Sequence, residues 1–69
     1  MRRFLMIIEK GKRNYSAYLP DLPGCAATGP TLKKVKANMQ SAVKMHIDGM
    51  AEDKIPIPKP HTLSDYILI

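Results

Sequence analysis

The sequence predicts a single small α+β domain with the element order β-β-β-α-β, and three observations lead to this. Three short runs rich in β-forming residues occupy the first 28 positions and are separated by turn residues. A longer segment, about residues 32–50, repeats its apolar residues at helical spacing. A proline-rich connector then leads to a last apolar run. We therefore expect one domain over residues 1–69, built as a three-stranded antiparallel sheet with one long helix and a C-terminal strand.

The first three strands follow from alternation and from the turns between them. Residues 2–9 are expected to form the first strand, and their apolar side chains on both faces predict a central strand of the sheet. Residues 10–14 form a turn that leads into a second strand at residues 15–19, so these two strands should pair as an antiparallel hairpin. A short third strand at residues 25–28 should follow.

The loop before the third strand is rich in residues that favour turns. Pro20 removes a backbone donor from the sheet, and Asp21 can accept hydrogen bonds from nearby amides. Pro23 and Gly24 suit the two central positions of a type II turn.

Thr31 is a good N-cap for the helix. Lys33 and Lys34 stand in the first turn, where positive charge opposes the helix dipole, so packing must hold the helix in place. The apolar stripe that would pack consists of Leu32, Val35, Met39, Ala42, Val43, His46, Ile47 and Met50.

The last third of the chain combines a connector with an apolar end. Residues 52–62 contain three prolines in alternation and cannot be helical. Residues 66–69 are apolar and are expected to return to the sheet as a last strand.

The charge is strongly basic and uneven. The net charge is +5 with a pI near 9.6, and the first 36 residues carry the whole excess. Two interpretations stay open: a solvated face that keeps a small domain in solution, or a surface that binds a polyanion such as nucleic acid. The candidate nucleic-acid-binding residues are Lys10, Lys12 and Arg13 in the hairpin turn and Lys33, Lys36 and Lys44 along one flank of the helix.

Several classes of function and location are disfavoured by what the sequence contains. The acids do not converge as a two-metal nuclease requires, and Cys25, His46 and His61 lack the spacing of a zinc site or a catalytic dyad. We predict no catalytic residue, no metal and no cofactor. The apolar run near the start is too short for a signal peptide or a membrane span, and the single cysteine fits a reducing compartment, so we expect a cytoplasmic protein.

A domain of this size buries only about 60% of the surface of its unfolded chain, so its stability as a monomer should be small. No intrachain disulfide is available to strengthen it. We therefore expect a homodimer or a larger homo-oligomer.

The segment from Tyr15 to Thr31 resembles the signature of the HicB family of antitoxins. It reads YSAYLPDLPGCAATGPT, and the family pattern is Y-x-A-x-x-P-D-L-P-G-C, then a short strand and T-G-x-T at the start of a helix. The helix tail AVKMHIDGM is similar to the family's A-x-x-x-H-L-x-G-L, and the connector IPIPKP is similar to its I-P-x-P stretch. The resemblance covers nearly the whole chain.

This resemblance implies a partial ribonuclease-H-like fold and a non-enzymatic role in a toxin–antitoxin system. Family members self-associate, and they bind a HicA-type toxin, a small mRNA-cleaving protein, and occlude its catalytic histidine. Many also carry a C-terminal DNA-binding domain. This chain ends at Ile69, so direct DNA binding through such a domain is not expected.

We expect the second strand and the turn after it to contact the partner. This edge is partly apolar, and its fixed φ angles lower the entropic cost of binding. The candidate residues are Tyr18, Pro20, Asp21, Leu22 and Pro23. A Leu22→Asp change is expected to abolish toxin binding and leave the fold intact.

Overall fold

Three strands and one helix make up the secondary structure of the computed structural model, which describes residues 3–69. The strands β1 (Ile7–Lys10), β2 (Tyr15–Tyr18) and β3 (Ala26–Gly29) form an antiparallel sheet in the order β1-β2-β3, and α1 (Leu32–Glu52) follows. The predicted α+β class and the order of these four elements are confirmed.

The first strand differs from the prediction in extent and in position. It spans Ile7–Lys10 rather than residues 2–9; residues 3–6 carry no strand pairing, and residue 2 lies outside the described part of the chain. The prediction that this strand is central was wrong, because β2 has a partner on both sides and β1 lies at the edge. The apolar side chains that suggested a central strand are only half-buried, and Phe4, Met6 and Ile8 pack against the core from its side.

The hairpin and the helix start follow the predicted local chemistry. Lys10 pairs with Tyr15, and the amide of Gly11 donates a 2.7 Å hydrogen bond to the carbonyl of Asn14, which closes the turn. The Thr31 hydroxyl accepts a 3.0 Å hydrogen bond from the backbone N–H of Lys34, so the N-cap prediction is confirmed.

The helix ends two residues later than predicted. Lys54 adopts a left-handed backbone with φ of 56°, and the amide of Ile55 donates to the carbonyl of Met50 at 2.8 Å. This six-to-one hydrogen bond is the one that closes a Schellman motif and satisfies a terminal carbonyl.

The core is small and lies between the sheet and one face of the helix. Its fully buried apolar residues are Ala17, Leu19, Leu22, Cys25, Val35 and Met39. The rest of the predicted helix stripe is half-buried, except Leu32, which is 44% exposed. Burial raises the pKa of the Cys25 thiol, whose Sγ lies 3.8 Å from the sulfur of Met39, so this cysteine serves the packing.

The helix packs on β3 and β2 and does not reach β1. A Cβ on Gly29 would lie 2.6 Å from the backbone nitrogen of Val35, which shows how closely the helix start approaches β3. The Asn38 side chain donates a 2.7 Å hydrogen bond to the carbonyl of Thr28 and holds the next turn. The helix is therefore held against β3 and leaves β1, at the opposite edge of the sheet, partly uncovered.

The predicted C-terminal strand was wrong. Residues 66–69 have no secondary structure, and their side chains are 87–111% exposed. A strand forms only where a neighbouring backbone supplies hydrogen bonds, and among residues 3–69 none lies beside this segment. Among residues 3–69, no helix combines the length and the apolar character that a bilayer crossing requires.

Candidate functional site

The loop between β2 and β3, residues 20–24, is built from two consecutive tight turns and is called the proline loop below. The amide of Leu22 donates to the carbonyl of Leu19 at 3.1 Å, and the amide of Cys25 donates to the carbonyl of Leu22 at 3.3 Å. Gly24 has φ of +86°, as a type II turn with Pro23 and Gly24 in its centre requires, so that turn prediction is confirmed. The proline loop is therefore short, rigid and closed on itself.

Asp21 holds a distant part of the chain against this loop. Its carboxylate accepts hydrogen bonds from the backbone N–H of His61 at 3.0 Å and of Thr62 at 2.9 Å, and from the Thr62 hydroxyl at 2.6 Å. The ring Nδ1 of His61 lies 3.1 Å from the same carboxylate. The end of the proline connector is thereby tied to the proline loop.

These contacts lower the pKa of Asp21 below its ordinary value. The hydrogen bond from the Thr62 hydroxyl is the main cause of the lower pKa. Burial acts in the opposite direction and raises the pKa, whereas the backbone N–H groups of Thr62 and His61 and the His61 ring lower it further. Asp21 is consequently a carboxylate at neutral pH, with every buried oxygen satisfied.

The five predicted partner-binding residues divide into two groups. Tyr18 is 45% exposed, Pro23 is exposed, and Pro20 is half-buried, so these three present a surface. Asp21 and Leu22 are only 3% and 1% exposed. Their side chains pack beneath the proline loop and are not accessible to a partner.

The expectation that Leu22→Asp would leave the fold intact was therefore wrong. Leu22 is one of the two largest fully buried side chains, and an unpaired carboxylate there would carry the full cost of leaving water. The sequence did not reveal this, because a leucine between two prolines in a polar loop can point either way.

Most of the predicted nucleic-acid-binding cations are brought to one end of the molecule. Lys10 pairs with Tyr15 and Tyr15 pairs with Gly29, so the hairpin turn lies at the same sheet end as the start of the helix. Lys12, Arg13 and Lys33 are all exposed there, and Lys36 follows one turn along the helix. Lys44 is different, because it lies far along the helix and forms a 3.1 Å ion pair with Asp48.

Sequence reasoning missed His61 and Thr62 as parts of this site. They stand about 40 residues from Asp21 in the chain, and a histidine and a threonine after a proline run carry no local signal. In the described part of the chain, no cluster of three or more His, Cys, Asp or Glu side chains is arranged to hold a metal ion. The site is a surface with a buried polar anchor.

Comparisons with known proteins identify a family and a solved structure that are similar to this chain. A family model described as a HicB-like antitoxin of bacterial toxin-antitoxin systems matches residues 4–68. A solved structure titled "HicA3 and HicB3 toxin-antitoxin complex" matches with a TM-score of 0.73 and 27% identity, over 86% of this chain and 69% of that one.

Curated relatives come from phage and bacteria. An uncharacterized 14.9 kDa protein of Haemophilus phage HP1 is 40% identical over 60 residues, 87% of this chain and 45% of the relative, so this chain spans less than half the length of that protein. A UPF0150 protein of Synechocystis is 31% identical over 57 residues, 81% of this chain and 72% of the relative. The match of the family model over residues 4–68, together with the same sheet and helix in the solved complex, shows that this chain belongs to the HicB-like antitoxin family of bacterial toxin-antitoxin systems.

Proposed function

We propose that this chain binds a HicA-type toxin and blocks its RNA-cleaving site, acting by occlusion and without catalysis in the cytoplasm. The observation that carries the proposal is the proline loop, a rigid partly apolar projection beside an exposed tyrosine, in a chain whose family and structural neighbour are those of an antitoxin. A rigid loop loses little conformational freedom when it binds, so more of its contact energy remains as affinity.

The contact surface of this proposal consists of Tyr18, Pro20 and Pro23. Asp21 and Leu22 hold the loop in shape from below. Aromatic side chains are enriched among residues that dominate binding energy, so Tyr18 is the expected main contact.

The charge of this chain predicts how toxin binding should depend on salt. With a net charge of +5, it is not steered toward a basic toxin by opposite charge. The complex should therefore rest on apolar contacts and hydrogen bonds, and its affinity should change little with added salt.

The test is a calorimetric titration with a HicA-type toxin from the same genome, made harmless by replacing its catalytic histidine. Tyr18→Ala and Pro23→Ala should each weaken binding, Tyr18→Ala by about tenfold or more. Ser41→Ala, on the exposed face of α1, serves as the matched control and should bind like the parent. An equal affinity of the parent and both loop variants would remove the loop from the interface, and no binding by the parent would overturn the proposal.

A second candidate function is nucleic-acid binding, favoured by the cations that the fold gathers around the hairpin turn and the helix start. Its dependence on salt should differ from that of toxin binding. The affinity for nucleic acid should fall steeply as salt is added, because binding releases counterions from the phosphates. The measurement is fluorescence anisotropy with labelled RNA and DNA oligonucleotides. Lys12→Glu should weaken binding more than Lys59→Glu, which makes the same change of net charge in the connector; equal effects or no binding would exclude a defined site.

A further inference from the structure

The helix covers one face of the three-stranded sheet, and we call the other face the open face. The register places Ile8, Ala17 and Ala27 side by side, and all three belong to the core or pack against it. Because side chains alternate between the two faces of a strand, the neighbours of these three residues point away from the helix. They form two rows across the strands, an apolar row of Ile7, Tyr18 and Ala26 and a polar row of Glu9, Ser16 and Thr28.

The open face is accessible over most of its extent. Five of its six side chains are exposed, and Ile7 is half-buried. An aromatic ring, that of Tyr18, stands in the middle of the apolar row because β2 is the central strand. Aromatic side chains beside a polar margin are typical of a surface that binds another protein.

The charge on the open face is opposite to the charge around it. The first 36 residues carry the whole positive excess of the chain and contain only two acids, Glu9 and Asp21. Asp21 is buried beneath the proline loop, so Glu9 is the one exposed acid of residues 3–36, and it forms no ion pair within residues 3–69. None of the six side chains of the open face is basic. This face therefore repels phosphate and attracts a cationic partner.

We propose that the open face continues the toxin-binding surface of the proline loop, and that Glu9 receives a lysine or an arginine of the toxin. This inference rests on the proposed function. Tyr18 belongs both to the open face and to the contact surface proposed above, so the two surfaces are continuous. A protein that cleaves RNA carries cations where it holds the phosphates, and these cations are complementary to the single charge of the open face.

Glu9 determines which partners the open face accepts. A carboxylate that a partner covers loses its water, and this loss is costly unless a donor takes the place of the water. A guanidinium or an ammonium group opposite Glu9 offsets the cost with a charge-assisted hydrogen bond, whereas an apolar or acidic group does not. Salt screens such a covered pair only weakly, so the small salt dependence expected for the toxin complex is unchanged.

The first test is a calorimetric titration of the full chain with the HicA-type toxin whose catalytic histidine has been replaced. Glu9→Gln keeps the size of the side chain and removes its charge, and it should raise the Kd by about tenfold or more. The matched control is Glu52→Gln, which makes the same change of charge at the exposed end of α1 and should bind like the parent. Both glutamates are exposed in the free chain, so circular dichroism should show the same helix content in all three proteins.

The second test adds a cation to the open face. Ser16 pairs with Glu9, so the lysine of a Ser16→Lys variant would neutralise Glu9 from within the chain and repel the cation of the toxin. This variant should also raise the Kd by about tenfold or more. Ser41→Lys adds the same charge on the exposed face of α1 and should bind like the parent. In NMR spectra of the ¹⁵N-labelled chain, the amide signals of β1 and β2 should shift on addition of toxin, and that of Ser41 should not.

The outcomes distinguish this inference from the proposed function. If Tyr18→Ala weakens toxin binding while Glu9→Gln and Ser16→Lys bind like the parent, the proline loop stays in the interface and the inference about the open face is overturned alone. A parent chain that does not bind the toxin overturns both. If Glu9→Gln leaves toxin affinity unchanged and gains affinity for a labelled RNA, the open face belongs to nucleic acid and the inference is wrong.

Discussion

Asp21 and Leu22 are neighbours in the proline loop, and each acts through a buried side chain. Asp21 receives three hydrogen bonds from residues about 40 positions later, and Leu22 fills the core directly below. The sequence correctly indicated a rigid turn here, because the proline and glycine positions determine local φ angles. It could not indicate which side chains point inward, because that depends on the helix and the connector, which come from elsewhere in the chain.

Leu22→Ala should destabilise the fold by about 2–5 kcal/mol, the range for removing a buried leucine side chain from a packed core. A domain of this length has a free energy of unfolding on the order of 5 kcal/mol, so this loss is a large part of the total. Urea denaturation followed by circular dichroism measures it. Leu63→Ala is the matched control: Leu63 is 92% exposed, and its loss should change the free energy by less than about 0.5 kcal/mol.

Asp21→Asn should remove an acid-sensitive part of the stability. The pKa of Asp21 is lowered in the folded state, so the stabilisation by its carboxylate is fully present above the unfolded value of about 4 and is lost as pH falls through the lower folded value. The parent should therefore lose more stability than the variant between pH 5 and pH 2. Thermal unfolding of both proteins across this range measures the difference, and parallel curves would contradict the role given to the carboxylate.

At the scale of elements, the three strands and the helix were predictable because each carries its own local signal. Alternation, turn residues and an N-cap threonine locate them within a few residues, and β1 alone differed by more. The last strand could not be predicted in the same way. Its apolar composition signals burial against something, but composition does not say whether the covering surface belongs to the same chain.

The tight packing of Gly29 in β3 against Val35 in α1 gives a sharp test of how these two elements fit together. Gly29→Ala would place a Cβ 2.6 Å from the Val35 nitrogen and 2.9 Å from its Cα, and backbone atoms cannot rotate away. The variant should lose about 1–3 kcal/mol or more as the helix start is displaced.

Gly49→Ala is the matched control, and it should change the free energy of unfolding in the opposite direction. Nothing lies within 4 Å of a Cβ at this helical position, so alanine should stabilise the helix by up to about 1 kcal/mol. Chemical denaturation of both variants measures the two effects. A stable Gly29→Ala protein would mean that α1 and β3 are farther apart than the structure shows.

The whole molecule has a small core and a large surface, so its stability should depend on association. If two copies of the chain associate, folding and dimer formation are linked, and the Tm should rise with protein concentration. We expect this rise over a hundredfold range of concentration. Differential scanning calorimetry measures it, and a Tm independent of concentration would contradict the expected dimer.

The anchor at Asp21 also creates a thermodynamic coupling. One carboxylate joins the loop proposed to bind a toxin with His61 and Thr62 at the end of the connector. If toxin binding shifts the loop, it changes how firmly the end of the connector is held. Linkage requires the reverse effect to be equal: whatever factor the toxin contributes to anchoring the connector, the anchored connector must return to toxin affinity.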